Sequence, residues 1–289
     1  MSKRRAEALP KFGYHVSAQG GPAAAVERAK ALGLDCMQLF TTSPRAWRFN
    51  ELSDDDIAEF RAAREKHGIG PAVVHTIYLI NLASEDKETR DKAIHAVSED
   101  LIRADALGCE YVVTHVGSAG DLADWEARRK AVYALNRLLK RAEGTEPMLL
   151  LENSAGGGRV IGRDFAELVR IAGDCRFTDR IGFCADSAHS FQAGHDVRTR
   201  EGIDALLEPI DAELGSDRLK VIHLNDSRTE LGSNHDRHEH IGQGALGREG
   251  MKAWLHHPTL RSLPFILETP IEDEDDDARN LRRAKRLAR

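Results

Sequence analysis

Short apolar, β-rich runs recur through the whole chain, at residues 12–15, 36–40, 72–75, 111–115, 148–152, 181–186, 219–223 and 265–268. Between them lie longer, charge-rich segments whose apolar residues return at helical spacing, such as 23–32, 91–107, 127–139 and 203–214. Several of these segments carry end signals. Ser53 before Asp54, Asp55 and Asp56 suits a helix N-terminus, and Gly33, Gly68, Gly108 and Gly215 stand where a left-handed C-terminal cap is expected.

Eight strand-like runs alternating with helical segments predict a TIM (β/α)₈ barrel, because parallel strands need crossover helices that cover the sheet. A doubly wound open sheet is the alternative. No internal repeat and no Pro/Gly/Ser-rich linker divides the chain, so residues 11–289 are expected to form one catalytic domain behind a frayed tail at 1–10. The end of the chain, acidic over 272–277 and basic over 279–289, predicts a terminal helix whose charges suit the helix dipole and face solvent.

Composition narrows the picture further. With 289 residues and 41% hydrophobic content the chain can bury a large core. It has no apolar stretch long enough to span a membrane, and the basic start Lys3, Arg4, Arg5 lacks the apolar region of a signal peptide, so a cytoplasmic protein is expected. Cys36, Cys109, Cys175 and Cys184 fall in or beside apolar runs without C-x-x-C pairing, which predicts buried thiols. The formal charge of −6 argues against a protein that holds nucleic acid by overall basicity, but leaves room for a local positive patch.

Candidate chemistry appears where the strands stop. His75, His115, Glu152, Asp186, His223 and Glu268 end six of the eight runs, and in a TIM barrel such ends share the face on which active sites lie. Two tight clusters add to them, Asp186 with His189 and Asp236 with His238. Five histidines and four carboxylates, oxygen- and nitrogen-rich and free of thiolate, suit catalytic zinc or manganese better than a closed structural zinc site. Nine ligands exceed the needs of one ion and can hold three if one carboxylate bridges. His67, His95, His195, His256 and His257 are expected to be ordinary histidines.

Jointly, the segments HVSAQGG (15–21), HTIYLINL (75–82), THVGS (114–118), LENSAG (151–156), CADSAH (184–189), HLND (223–226), DRH (236–238) and LET (267–269) resemble the endonuclease IV family of apurinic/apyrimidinic endonucleases along nearly the whole chain. Ser187 and Ala188 depart from the Thr and Cys that relatives often carry, at positions that are not ligands. The resemblance implies three zinc ions, with manganese able to serve at one position. One would be held by His75 and His115, a second by Asp186, His223 and Glu268, with the catalytic Glu152 bridging the pair, and a third by His189, Asp236 and His238. Three Zn²⁺ against four carboxylates leave a net positive site for an anionic phosphodiester, and also bring the whole chain close to neutrality. The implied reaction is metal-assisted in-line hydrolysis 5′ to an abasic site in duplex DNA, leaving a 3′-hydroxyl and a 5′-deoxyribose phosphate, without a protein nucleophile.

By the same resemblance Arg45 and Tyr78 push into the duplex while the abasic sugar is flipped out, and Trp47 borders the same face or anchors its loop. His15 and Asn225 are candidates for orienting ligands, and the turn Gly156-Gly157-Gly158 either serves the site or is merely flexible. The expected partner is double-stranded DNA with abasic or 3′-blocked damage. No membrane and no obligate protein partner are expected, and the chain is expected to act as a monomer. Two rivals stand beside this reading. A sugar isomerase or epimerase of a related barrel would use fewer metals at the same strand ends, and a non-catalytic DNA-damage binding module would use zinc structurally.

Overall fold

The computed structural model of the chain describes residues 10–289. Eight parallel strands form one sheet: β1 (Lys11–Tyr14), β2 (Met37–Leu39), β3 (Ala72–His75), β4 (Tyr111–Thr114), β5 (Met148–Glu152), β6 (Ile181–Asp186), β7 (Leu219–His223) and, after a small ribbon of β8 (Asp226–Ser227) and β9 (His238–Glu239), β10 (Pro264–Leu267). The hydrogen-bonded order β1-β10-β7-β6-β5-β4-β3-β2 runs once round a ring. A parallel bridge between His15 and Gln38 joins β1 to β2 and closes it. The open-sheet alternative is thereby excluded, because an open sheet leaves its two edge strands apart.

Inside the ring Cys36, Val73, Val113, Leu150, Cys184, Val221 and Ile266 form a fully buried layer. Outside it, the apolar stripes of the helices pack against the opposite face of the strands, so both faces are covered and the strands read as near-continuous apolar runs. These helices are α1 (Pro22–Leu32), α2 (Asp54–His67), α3 (Lys87–Leu107), α4 (Asp124–Arg141), α5 (Phe165–Gly173), α6 (Ser187–Gln192), α7 (Arg200–Glu213), α8 (Gly247–Leu255) and α9 (Asp276–Leu287). No helix among the described residues is long and apolar enough to cross a membrane.

Local chemistry explains the boundaries. Ser53 accepts from Asp56 N while the Asp56 carboxylate accepts from Ser53 N, a capping box that starts α2 where the sequence places it. Gly33, Gly68 and Gly108 each end a helix in the left-handed conformation. Gly215 does not: α7 stops at Glu213, and Gly215 adopts φ 93°, ψ 141° as it leads into a 3₁₀ turn before β7. α3 begins at Lys87 rather than Asp91, because Asp86 caps Thr89 N and the polar first turn carries no apolar periodicity. The terminal helix is present, but the side bearing Leu281, Ala284 and Leu287 is buried, so only part of it faces solvent. Of the expected tail, residues 1–9 lie outside the described residues, and Pro10 is buried. All four cysteines are buried and unpaired, as expected.

Candidate metal centre

Parallel strands deliver their last residues to one end of the barrel, and there the polar side chains converge. His75, Glu152, Asp186 and His223 are terminal strand residues, whereas His115 and Glu268 stand one residue past the ends of β4 and β10. Glu152 is buried at the centre. Its Oε2 lies 3.2 Å from His75 Nε2 and 3.3 Å from His115 Nε2, while its Oε1 lies 2.8 Å from His223 Nδ1. The two oxygens thus face two different sets of imidazoles, the disposition a bridging carboxylate needs. Glu268 Oε2 approaches His223 Nδ1 at 3.4 Å from the other side.

Five candidate ligands are histidines, and their second nitrogens decide which atom is offered. Nδ1 of His75, His189 and His238 lies 2.8, 3.0 and 3.0 Å from the carbonyls of Thr76, Asn153 and Glu268. A carbonyl only accepts, so each Nδ1 carries the proton and each Nε2 lone pair faces the site. His223 is turned the other way. Its Nε2 donates to Gln38 Oε1 at 2.8 Å and leaves Nδ1 as the inward atom. The Gln38 amide also donates to Glu268 Oε1 at 2.6 Å, so one buried side chain orients two candidate ligands. Asn225 does similar work, donating to Asp186 Oδ2 at 2.6 Å and accepting from Glu268 N at 2.8 Å. His15 touches the same network, with Nδ1 3.0 Å from the Gln38 amide nitrogen and 3.5 Å from Glu268 Oε1.

The outer cluster is assembled from two segments. Asp186 caps the short helix α6 by accepting from His189 N, which sets His189 one turn above it. The β8–β9 ribbon, with Ser227 opposite His238, brings in the second. Asp236 Oδ1 lies 3.4 Å from Nε2 of both His189 and His238, and His238 Nε2 is 3.8 Å from Asp186 Oδ2. Asp186 therefore stands between the inner and outer groups rather than within the inner one alone. The glycine turn has a definite task here. Gly156 has φ 93°, and a Cβ on it would meet Asn234 Oδ1 at 2.5 Å, so the turn packs against the loop carrying Asp236 and is not merely flexible.

The donor set itself tests whether metal fits. Among the described residues, every ion-pair partner of Glu152, Asp186, Asp236 and Glu268 is a histidine, with no lysine or arginine to balance them. Burial alone would push the Glu152 carboxyl up. The charges of His223 and then His115 overcome this and hold it well below the ordinary range. Burial likewise pulls His189 and His223 down, yet neighbouring groups, Asp186 foremost at His189 and Cys184 then Glu268 at His223, raise both well above the usual imidazole range. Acids that draw protons onto buried histidines are acids that divalent cations would neutralise directly. Groups of His, Asp and Glu whose ligand atoms lie within 4.8 Å of one another form around His75, His115 and Glu152, around Glu152, Asp186, His223 and Glu268, and around Asp186, His189 and His238.

Sequence reasoning missed one neighbour. Cys184 lies within the same 4.8 Å of Glu152 and His223, so the centre is not free of sulfur. Burial pushes this thiol up to about 12, while the neighbouring His223 pulls against it. His67, His95, His195, His256 and His257 all fall outside these groups, as expected.

Around the rim, Tyr78 is 67% exposed and Leu79 39% exposed, an apolar pair at the mouth. The Tyr78 ring meets Phe40 edge-on at 5.4 Å, and Phe40 in turn lies 4.2 Å from His15 and 5.8 Å from His75. Arg45 is exposed on the loop after β2, which Tyr78 N binds through Pro44 O. Trp47 is half-buried against the core, the loop-anchor alternative. α3 holds both ends of that loop. Arg103 donates to Thr41 O and Asn50 O, and Asp100 accepts from Thr41 Oγ1 at 2.7 Å.

Asp100 is fully buried, and burial raises its carboxyl to about 7. An acid whose folded pKa is raised takes up a proton on folding, so its favourable contribution is complete below about pH 4 and is lost as pH rises through about 7. Asp100→Asn keeps the acceptor for Thr41 and removes the ionisation. Thermal melts should show a small gain at pH 5 and a larger one, of a few degrees, at pH 8. An unchanged difference between the two pH values would refute the assignment.

Comparison with known proteins agrees with this geometry. The sequence model of the xylose isomerase-like TIM barrel family matches residues 26–288. A probable endonuclease 4 of Methanosphaerula palustris is 43% identical over 282 residues, covering 97% of this chain and 99% of the relative. The crystal structure of endonuclease IV from Thermus thermophilus superposes with a TM-score of 0.84 at 39% identity, covering 96% of this chain and 98% of that one. A D-tagatose 3-epimerase-like protein has a TM-score of 0.72 at 19% identity over 96% of this chain and 98% of that one, which shows a shared fold alone. The chain belongs to the endonuclease IV family, within the xylose isomerase-like TIM barrels.

Proposed function

We propose that this protein is a metal-dependent AP endonuclease, which hydrolyses the phosphodiester bond 5′ to abasic sites in duplex DNA and leaves 3′-hydroxyl and 5′-deoxyribose phosphate ends. The observation that carries this reading is the outer cluster. Asp236, His189 and His238 extend the inner group beyond what a one- or two-metal sugar isomerase uses, and they do so on the open side of the site, where the Asp236 side chain is 60% exposed. The thiol-poor, open arrangement also disfavours a purely structural zinc site in a binding module.

In this reading residues 11–289 act as one catalytic domain. His75 and His115 would hold one ion, Asp186, His223 and Glu268 a second, and His189, Asp236 and His238 a third, with Glu152 shared by the first two. Three Zn²⁺ are the proposed complement, with Mn²⁺ able to replace zinc at one position. When bound, the ions supply positive charge at the phosphate and a nucleophilic water at neutral pH. The chain's own residues fix the geometry. Gln38 and the three backbone carbonyls hold the imidazole tautomers, and Asn225 holds Asp186 and the Glu268 backbone, so the ligands are in place before the substrate arrives. Tyr78, Leu79 and Arg45 occupy the mouth, where an exposed aromatic and aliphatic pair beside a cation can enter a base stack weakened by a missing base. The protein is proposed to work in the cytoplasm as a monomer, on abasic and 3′-blocked duplexes, with no obligate protein partner.

The direct test is incision of a duplex containing one tetrahydrofuran abasic analogue beside an undamaged control, with metal content measured on the same sample. A cut 5′ to the analogue alone is expected, with about three metals per chain. Failure to cut despite a full metal complement would favour the isomerase. On the same duplex, Tyr78→Ala and Arg45→Ala should each raise KM by roughly 10-fold, the worth of a stacked or charged contact of about 1–2 kcal/mol. Hydrolysis of bis-p-nitrophenyl phosphate, which has no helix to enter, should be unchanged. Equal losses on both substrates would assign these side chains to the metal centre instead.

A further inference from the structure

The arginine-rich helix α9 has no part in the site described above. Its buried face carries Leu281, Ala284 and Leu287, and its other side presents Arg279, Arg282, Arg283 and Arg286. With Arg248 at the start of α8 and the loop 241–243, these four line a groove of about 450 Å³. Gly242 forms part of its wall. It has φ 72°, and a Cβ there would stand 3.1 Å from Arg248 Cγ, so only glycine lets the loop lie so close to the arginine stem.

Two of the five guanidinium groups are already engaged. Arg279 donates to Asp273 and Asp276, and Arg283 to Gln243 and Asn280. Arg248, Arg282 and Arg286 are exposed, and among the described residues they make no hydrogen bond or ion pair within the chain. The nearby acids are chiefly committed elsewhere, Asp273 and Asp276 to Arg279, Glu249 to Lys252 with a weaker pull from Arg248, and Glu239 and Glu272 to Arg228. Three unpaired arginines are thus gathered in one groove of a chain whose formal charge is −6. Like charges held together repel, and the planar guanidinium fork matches phosphate oxygens better than any other side chain does.

One end of this groove adjoins the metal centre, and the other runs down the flank of the barrel, where Leu287 O accepts from His256 Nε2 at the end of α8. Asn280 of α9 accepts from Ile241 N at 3.0 Å and donates to Thr269 Oγ1 at 3.0 Å, next to Glu268. Loop 241–243 follows His238 by three residues, a reach of at most about 10 Å. Arg282 and Arg286 are one helical turn apart, about 6 Å, which covers about two phosphates at 3.4 Å of duplex axis per phosphate on one strand.

We propose that the groove between α8 and α9 is a second phosphate-binding surface, in which Arg248, Arg282 and Arg286 hold the backbone of duplex DNA beside the cleaved site. The proposal rests on the DNA reading above and adds a surface that the ligand set does not include.

The test measures binding of the metal-loaded protein to an undamaged fluorescein-labelled duplex over a range of salt concentrations, for wild type and Arg248→Gln/Arg282→Gln/Arg286→Gln. Each phosphate contact contributes about 0.9 to the slope of log Kd against log salt, so the triple variant should lose about 2.7 from that slope, and each single variant about 0.9. Incision at saturating abasic duplex should keep its kcat, and the corresponding triple lysine variant should recover most of the slope. An unchanged slope in a triple variant that still incises would overturn the groove proposal alone. A reduced slope in a protein whose wild type never incises would support the groove and overturn the nuclease reading instead. Variants that weaken binding of inorganic tripolyphosphate but not of duplex would also overturn it, by assigning the groove to a small polyanion.

Discussion

Glu152→Gln is expected to lower incision of the abasic duplex by about 10³-fold or more, equivalent to the several kcal/mol of transition-state stabilisation that paired metals provide. Metal content should fall in the same sample. The substitution keeps the volume of the side chain but changes its charge and its atoms. One carboxylate oxygen faces His75 and His115, the other faces His223, and an amide presents a nitrogen to one of those two groups. No other carboxylate among the described residues lies between both sets, so no neighbour can take its place. The amide keeps the buried volume but loses the charge that pairs with His223 and His115, so the metal-free variant should still fold and melt somewhat below metal-free wild type. Full activity with full metal content in Glu152→Gln would overturn the bridging role.

The second large effect concerns the outer cluster. His238→Ala removes an imidazole whose Nε2 lies 3.4 Å from Asp236 and 3.8 Å from Asp186 and whose Nδ1 is fixed by the Glu268 carbonyl. Elemental analysis should show a loss of about one metal per chain while the inner pair stays bound, and incision should fall by roughly 10²- to 10³-fold. The inner group is expected to survive because Gln38 and Asn225 orient it from separate elements, β2 and the segment after β7. Loss of all metal together would mean that the clusters are one cooperative unit. No loss of metal, with activity retained, would remove the feature that separates this chain from the sugar isomerases.

Much of this is legible in the sequence because strand ends and candidate ligands coincide. A run such as Ala72–His75 ends in a polar residue for one reason, that its inner face opens onto the site, and the same holds for Met148–Glu152, Ile181–Asp186 and Leu219–His223. The residues that orient the ligands are harder to see. Gln38 sits in the middle of an apolar strand, and a lone glutamine there carries no sign of whether it is tolerated or required. Its partners Glu268 and His223 are distant in sequence, as are those of Asn153, which accepts from Asp186 N. Asp100 and Arg103 hold the loop after β2 from a charge-rich helix, where periodicity alone does not distinguish them from solvated surface. Cys184 is a buried thiol, as its apolar run predicts, but only the ring geometry sets its sulfur beside Glu152 and His223.

The seam between β1 and β2 lies at the candidate metal centre. These strands share one registered pair, His15 with Gln38, flanked by hydrogen bonds from Val16 N to Gln38 O and from Asp35 N and Cys36 N to Phe12 O, whereas every other neighbouring pair in the ring shares at least two registered positions. The Gln38 side chain at that joint spans from Glu268 on the last segment of the ring to His223 on the strand beside it. Ions held by Glu268 and His223 would therefore also hold the joint. Metal loading and closure of the ring would then be linked, each strengthening the other by the same free energy.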